Sequence, residues 1–120
     1  MVHKHLITHI EFSTKDLEGS KKFYSDVFEW KIEDFPGMNY ATFEAEGGTG
    51  GGFSPVSDET PAGSILVYIN TPELDKTLQK IRASGGNILQ DGYDIPGVGR
   101  MATFKDPTGN IVALLQPLME

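Results

Sequence analysis

His9 and Glu11 stand two residues apart in the segment Leu6-Ile7-Thr8-His9-Ile10-Glu11-Phe12. An imidazole and a carboxylate at that spacing share one face of a β-strand, with backbones about 6–7 Å apart. A carboxylate there would raise the imidazole pKa and make the two a general acid–base pair. With Glu44 from a later strand, the same residues form a conceivable divalent-metal set. His3 and His5 would join that face only if the strand reached back to them, and a solvated terminus is the simpler reading. The chain has no Cys, which removes disulfides, thiolate catalysis and Cys-based metal sites. The run Gly47-Gly48-Thr49-Gly50-Gly51-Gly52 lacks the Gly-Lys-Ser/Thr of a phosphate loop and leads into no helix. It reads as a flexible loop and a thin strand that leave room for a ligand.

The elements that must position these residues follow from local pattern. Alternation marks residues 6–12 as a half-buried strand with Ile10 and Phe12 on the face opposite His9 and Glu11. Ser13 to Asp16 offer helix caps. Leu17, Ser20, Phe23, Tyr24, Val27 and Phe28 then recur at helical spacing. Strands are expected over 29–35 and 40–45, with Pro36-Gly37 turning between them, and a weak one after the glycines. Residues 56–63 are polar with Pro and Gly and read as a linker. A β-prone run, Ile65 to Ile69, opens a second series. Thr71 and Pro72 signal a helix start, Leu74, Leu78 and Ile81 its apolar stripe, and Gly85-Gly86 its end. Strands over 87–90, 100–105 and 111–116 complete the series, the last two joined by the tight turn Asp106-Pro107-Thr108-Gly109-Asn110.

The two series are copies. Pro36-Gly37 leads to Ala41-Thr42-Phe43, and Pro96-Gly97 leads to Ala102-Thr103-Phe104, offset by 60 and then 61 residues in a chain of 120. The expected architecture is therefore one α+β domain of two tandem β-α-β-β-β modules. The first spans 1–55 and the second 64–120, enclosing a cleft on the faces away from the helices.

Composition sets the context. Charged residues are 22% and hydrophobic residues 38%, ordinary for a soluble domain. No apolar run approaches the roughly 18 residues that span a bilayer, and the N-terminus does not resemble a signal peptide, so a cytoplasmic location is expected. A net charge of −7 argues against nucleic acid as partner and would tolerate a cationic ligand. A homodimer is expected, because two small modules with apolar faces gain by sharing surface.

The chain resembles the vicinal oxygen chelate superfamily of glyoxalases, bleomycin-resistance proteins and extradiol dioxygenases. The resemblance rests on Thr8-His9-Ile10-Glu11 before Asp16-Leu17-Glu18, on Phe23-Tyr24, on Ile81-Arg82 with Gly85-Gly86, and on Asp106-Pro107-Thr108-Gly109-Asn110. The stretch Ile95 to Arg100 is similar to that of small glyoxalase-like proteins. In the superfamily's metal-dependent enzymes, the first and last strands of each module supply His and Glu ligands to a divalent ion. Carried over, these positions fall on His9, Gly52, Ser64 and Ala113. Only His9 has a suitable donor, so the resemblance implies the family fold without its usual metal set. Glu11 and Glu44 are the fallback ligands for a displaced ion.

The cleft lining follows from alternation. If Ile65, Val67 and Ile69 pack under the helix, Ser64, Leu66 and Tyr68 face the cleft. If Val112 and Leu114 do so, Ala113 and Leu115 face it. Tyr40 and Thr42 share a face with Glu44, and Arg100 would reach the rim. Gly52 and Ala113 would add volume where ligating side chains stand in relatives. The leading expectation is a metal-free protein that binds a small molecule, in the manner of resistance proteins. The alternatives are a lyase, isomerase or dioxygenase with a displaced metal or His9/Glu11 acid–base chemistry, and an interaction subunit with no ligand.

Overall fold

The computed structural model describes residues 5–118. The chain runs β1 (Ile7–Thr14), α1 (Leu17–Phe28), β2 (Lys31–Asp34), β3 (Ala41–Glu44), β4 (Gly51–Pro55), β5 (Ile65–Asn70), α2 (Leu74–Ala83), β6 (Asn87–Ile95), β7 (Gly99–Lys105) and β8 (Ile111–Pro117). The β-α-β-β-β order therefore occurs twice, as the duplication requires. His3 lies outside the described residues. His5 is exposed, with φ 57°, in a turn that precedes β1, so it does not extend the His9 face.

Contacts group Thr8–Leu66 into one compact unit, and Val67 onward with the segment ending at Ile7 into another. The boundary falls inside β1 and β5, not at the 56–63 linker. Ser13 N donates to Ser64 O (3.4 Å), which ties the approach to β5 into the first unit, while Asn70 N donates to Leu6 O (2.8 Å) in the second.

In the first unit, β4 pairs parallel with β1 and antiparallel with β3, and β3 pairs antiparallel with β2. Asp16 caps α1 by accepting from Gly19 N at 3.0 Å, and Glu29 closes the helix at φ 59°. One face of the sheet carries Phe12, Ile32, Ala41, Phe43 and Phe53 against Leu17 and Tyr24 of α1, with Trp30 stacked 4.3 Å from Phe43. The apolar stripe expected on α1 is only half used. Phe23, Val27 and Phe28 are each more than half exposed, because the sheet reaches only the Leu17–Tyr24 side of the helix.

The second unit repeats the pattern, with β8 parallel to β5 and antiparallel to β7, and β6 antiparallel to β7. Leu74 and Leu78 of α2 pack on Ala102 and Leu114, joined by Ile69, Ile81, Ile88 and Phe104. The helix start differs from expectation. Glu73 is the N-cap and makes no side-chain cap bond, so Thr71 is not the cap. Instead Gln116 Oε1 of β8 accepts from Leu74 N at 2.7 Å. Thr71 bonds Thr77 at 2.7 Å, as Thr14 bonds Ser20 at 2.7 Å in the first unit. Ile65 does not pack beneath α2. It is 56% exposed, since it precedes the stretch of β5 that the helix covers.

Candidate functional site

Phe12, Ala41, Phe43 and Phe53 turn towards α1, so alternation sends His9 and Glu11 of β1, Tyr40, Thr42 and Glu44 of the β3 region, and Gly52 of β4 to the helix-free face. Register brings these together: Glu11 and Thr42 flank Gly52 from its two neighbouring strands. The Tyr40 hydroxyl lies 2.8 Å from His9 Nε2. The first carbon of any side chain at position 52 would overlap that same hydroxyl and its ring. Gly52 therefore does not leave a void, as the sequence suggested. Tyr40 reaches across from β3 and fills the volume.

Burial holds His9 below its ordinary pKa of 6.5, because desolvation penalises the imidazolium. The shift is opposite to the rise expected from Glu11. A neutral imidazole has one donor and one acceptor nitrogen, so Nε2 either accepts from the Tyr40 hydroxyl or donates to it, according to the tautomer.

The other expected site residues fall into place unevenly. The paired Thr14–Ser20 and Thr71–Thr77 bonds give an offset of 57 between the first strands of the copies (14 to 71, 20 to 77). On that offset the counterpart of His9 is Leu66 and not Ser64, which stands just before β5. In the second unit Ala113 is fully buried and in register with Tyr68 of β5 and Thr103 of β7. Leu115 follows on the same face and is half-buried. Arg100 is misplaced by the sequence reading. It alternates with Ala102 and Phe104, which pack on α2, and its guanidinium sits 3.6 Å from Asp75 of α2 and 3.4 Å from Asp94 of β6. It belongs to the helix-covered face and is not a rim residue of the opposite one.

Among the described residues, no three His, Asp or Glu side chains are grouped to hold a metal ion, His9, Glu11 and Glu44 included. Glu44 is exposed and faces Lys31 across the β2–β3 ladder. At the positions carried over from metal-dependent relatives, Gly52, Leu66 and Ala113 offer no donor atom. The residues present do not fit the family's ion.

Residues 6–114 match the profile of the Glyoxalase/Bleomycin resistance protein/Dioxygenase superfamily. The chain belongs to that superfamily. Among its relatives, the Mycobacterium bovis protein CFP32 is 30% identical over 89% of this chain, which spans 44% of CFP32. The chain thus spans less than half of that relative. A glyoxylase-like domain-containing protein of Didymella fabae is 33% identical, covering 90% of this chain and 91% of the relative. The crystal structure of a hypothetical protein from Bacillus halodurans superposes with a TM-score of 0.75 at 16% identity, covering 98% of each chain. That likeness shows the superfamily fold. Among the described residues, no helix is long and apolar enough to cross a membrane.

Within this glyoxalase-like setting, two features escaped the sequence reading. Residue types mark Tyr40 and Gly52 as cleft positions, but not as partners. The signal is a tyrosine two residues before Thr42, the cross-strand neighbour of Gly52, on the same face and long enough to reach over the glycine. In the sequence Thr103 stands out only as the middle of the repeated Ala-Thr-Phe tripeptide.

Proposed function

We propose that this glyoxalase/bleomycin-resistance-like chain binds a small organic molecule on the helix-free face of its Thr8–Leu66 unit, without the divalent ion of its metal-dependent relatives. The observation that carries this reading is the Tyr40 phenol, which fills the side-chain volume missing at Gly52 and bonds His9, the one retained family ligand position. His9 and Tyr40 orient a polar group of the ligand, and Glu11 beside them favours a donor or cationic group. The chain's charge of −7 suits such a ligand.

The test is a fragment screen read by NMR on protein with labelled His and Tyr rings. Ligands that move the His9 and Tyr40 signals, and that weaken in His9→Ala and Tyr40→Phe variants, support the proposal. Hits that leave both signals unmoved, or a stoichiometric divalent ion bound at His9 in tag-free protein, overturn it. The second reading is a lyase or isomerase, favoured by the imidazole–phenol pair as a proton acceptor and donor. Exchange of carbon-bound ligand protons with heavy water would establish it.

A further inference from the structure

One side chain in the second unit carries a hydroxyl that the fold does not bond. The hydroxyl of Thr103 is shut off from solvent and makes no hydrogen bond, the only such buried side-chain atom among the described residues. The residue is 9% exposed. Its neighbours Ala102 and Phe104 pack on α2, so Thr103 faces away from the helix. There it is in register with Ala113 of β8 and Gln90 of β6. Ala113 is in turn in register with Tyr68, and Met101 with Leu115 and Tyr93. The centre, Ala113, is small and apolar, with Met101, Leu115 and the two tyrosines around it and Gln90 to one side.

A buried hydroxyl left unbonded is destabilising, and a valine would fill the same volume on a strand without that cost. The duplicate residue in the first unit behaves differently: Thr42 Oγ1 is within 3.5 Å of the Glu33 carbonyl. Thr103 is the copy whose partner is missing. Unbranched Met101 and exposed Gln90 flank it on the same face, and both are side chains that can yield to an incoming group.

We infer that Thr103 is a ligand-anchoring hydroxyl: it bonds the heteroatom of a neutral aromatic molecule whose ring lies on Tyr68, Ala113, Met101 and Leu115. This rests on the reading that the chain takes small molecules, but it uses residues of the second unit, other than His9 and Tyr40. The class follows from the lining, which offers mostly apolar and aromatic contact, the unbonded Thr103 hydroxyl that can donate or accept, and no charge to match an ion.

The experiment uses phenol, benzaldehyde and benzamide as probes against the full chain with labelled Thr methyls and His rings. Binding is compared in the wild type, Thr103→Val and Thr103→Ser, and unfolding by urea is followed for all three. The expected result is saturable movement of the Thr103 methyl signal by at least one probe. Affinity should fall about tenfold in Thr103→Val, the worth of one hydrogen bond, and persist in Thr103→Ser. Thr103→Val should be at least as stable as the wild type. A Val variant less stable than the Ser variant would show that the hydroxyl is bonded within the chain, and overturn the inference. So would unchanged affinity in Thr103→Val, or a water that stays on Oγ1 in a crystal saturated with the probe. Probes that move His9 but not Thr103 sink this inference alone. Probes that move neither count against the small-molecule reading as well.

Discussion

Gly52 and Tyr40 act as one unit, and the consequence is measurable as non-additivity. Gly52→Ala forces the Tyr40 ring out of its place, which overpacking experience puts at about 1–3 kcal/mol. In a Tyr40→Ala background the same substitution should cost much less, since its obstacle is gone. Urea unfolding of the four proteins in the cycle measures the difference, and equal costs in both backgrounds would contradict the packing described here. His9 gives a second expectation at this scale. Its imidazole is held below 6.5 by burial, so the unfolded chain takes up the proton first as pH falls. The stability that depends on a neutral His9 is complete above pH 6.5 and is lost progressively below it. An NMR titration should place the His9 pKa under 6.5, and the loss of stability on acidification should shrink in His9→Gln. None of this was readable from residue types. The sequence shows His9 beside Glu11 and suggests a raised pKa, but whether a carboxylate or burial dominates depends on how deeply the ring is set.

The elements were more legible, because helices and strands announce themselves locally. The Asp16 cap, the Leu74–Leu78–Ile81 stripe and the Asp106–Asn110 turn all lie within a few residues of what they organise. What escaped was long-range. Gln116 caps α2 from 42 residues away, and no local signal marks a glutamine in β8 for that task. Gln116→Ala should therefore destabilise the protein by about 1 kcal/mol, in the range of other helix caps, and urea unfolding would detect it. Arg100 escaped for a related reason. Its place is fixed by Asp75 of α2, far away in sequence, and by Asp94 across the β6–β7 ladder, so the residues around Gly99 do not reveal it. The Asp106 turn supports an acid-side prediction. Its carboxylate accepts from the Thr108 and Asn110 backbone and side chains, with the Asn110 side chain the largest influence, and its pKa falls to about 2 from 3.8. The stabilisation is present above pH 3.8 and disappears as pH falls through about 2. Asp106→Ala should lower the melting temperature at pH 6 and have little effect near pH 2.

At the scale of the whole chain, the duplication was visible because both copies kept Pro-Gly and Ala-Thr-Phe. How far they have diverged was not. The offset grows from 57 at the first strands to 60 at the Pro-Gly turns, as four-residue β2 gives way to nine-residue β6, and to 61 at Ala102 through one residue inserted after the turn. The helix-free face of the first unit is polar, with His9, Glu11, Tyr40, Thr42 and Glu44. That of the second is mostly apolar, with Tyr68, Met101, Ala113 and Leu115 around Thr103. Repeated topology fixed the scaffold while the two faces took on different chemistry, and only the scaffold can be read by aligning the copies. Small duplicated domains gain by sharing apolar surface, so the expected state in solution is a homodimer. Light scattering at micromolar concentration should report twice the chain mass, and a particle of one chain mass would refute it.

The overlap between position 52 and the Tyr40 ring also constrains the chain's history. A carboxylate cannot arrive at position 52 while Tyr40 is in place, because even a methyl group collides there. A side chain at position 52 therefore requires the Tyr40 ring to swing aside or to be replaced, and a ring in its present place requires glycine at 52. A chain without the ring and still with glycine at 52 has an open cavity there, with neither chemistry complete, and that is where a new ligand would first find room.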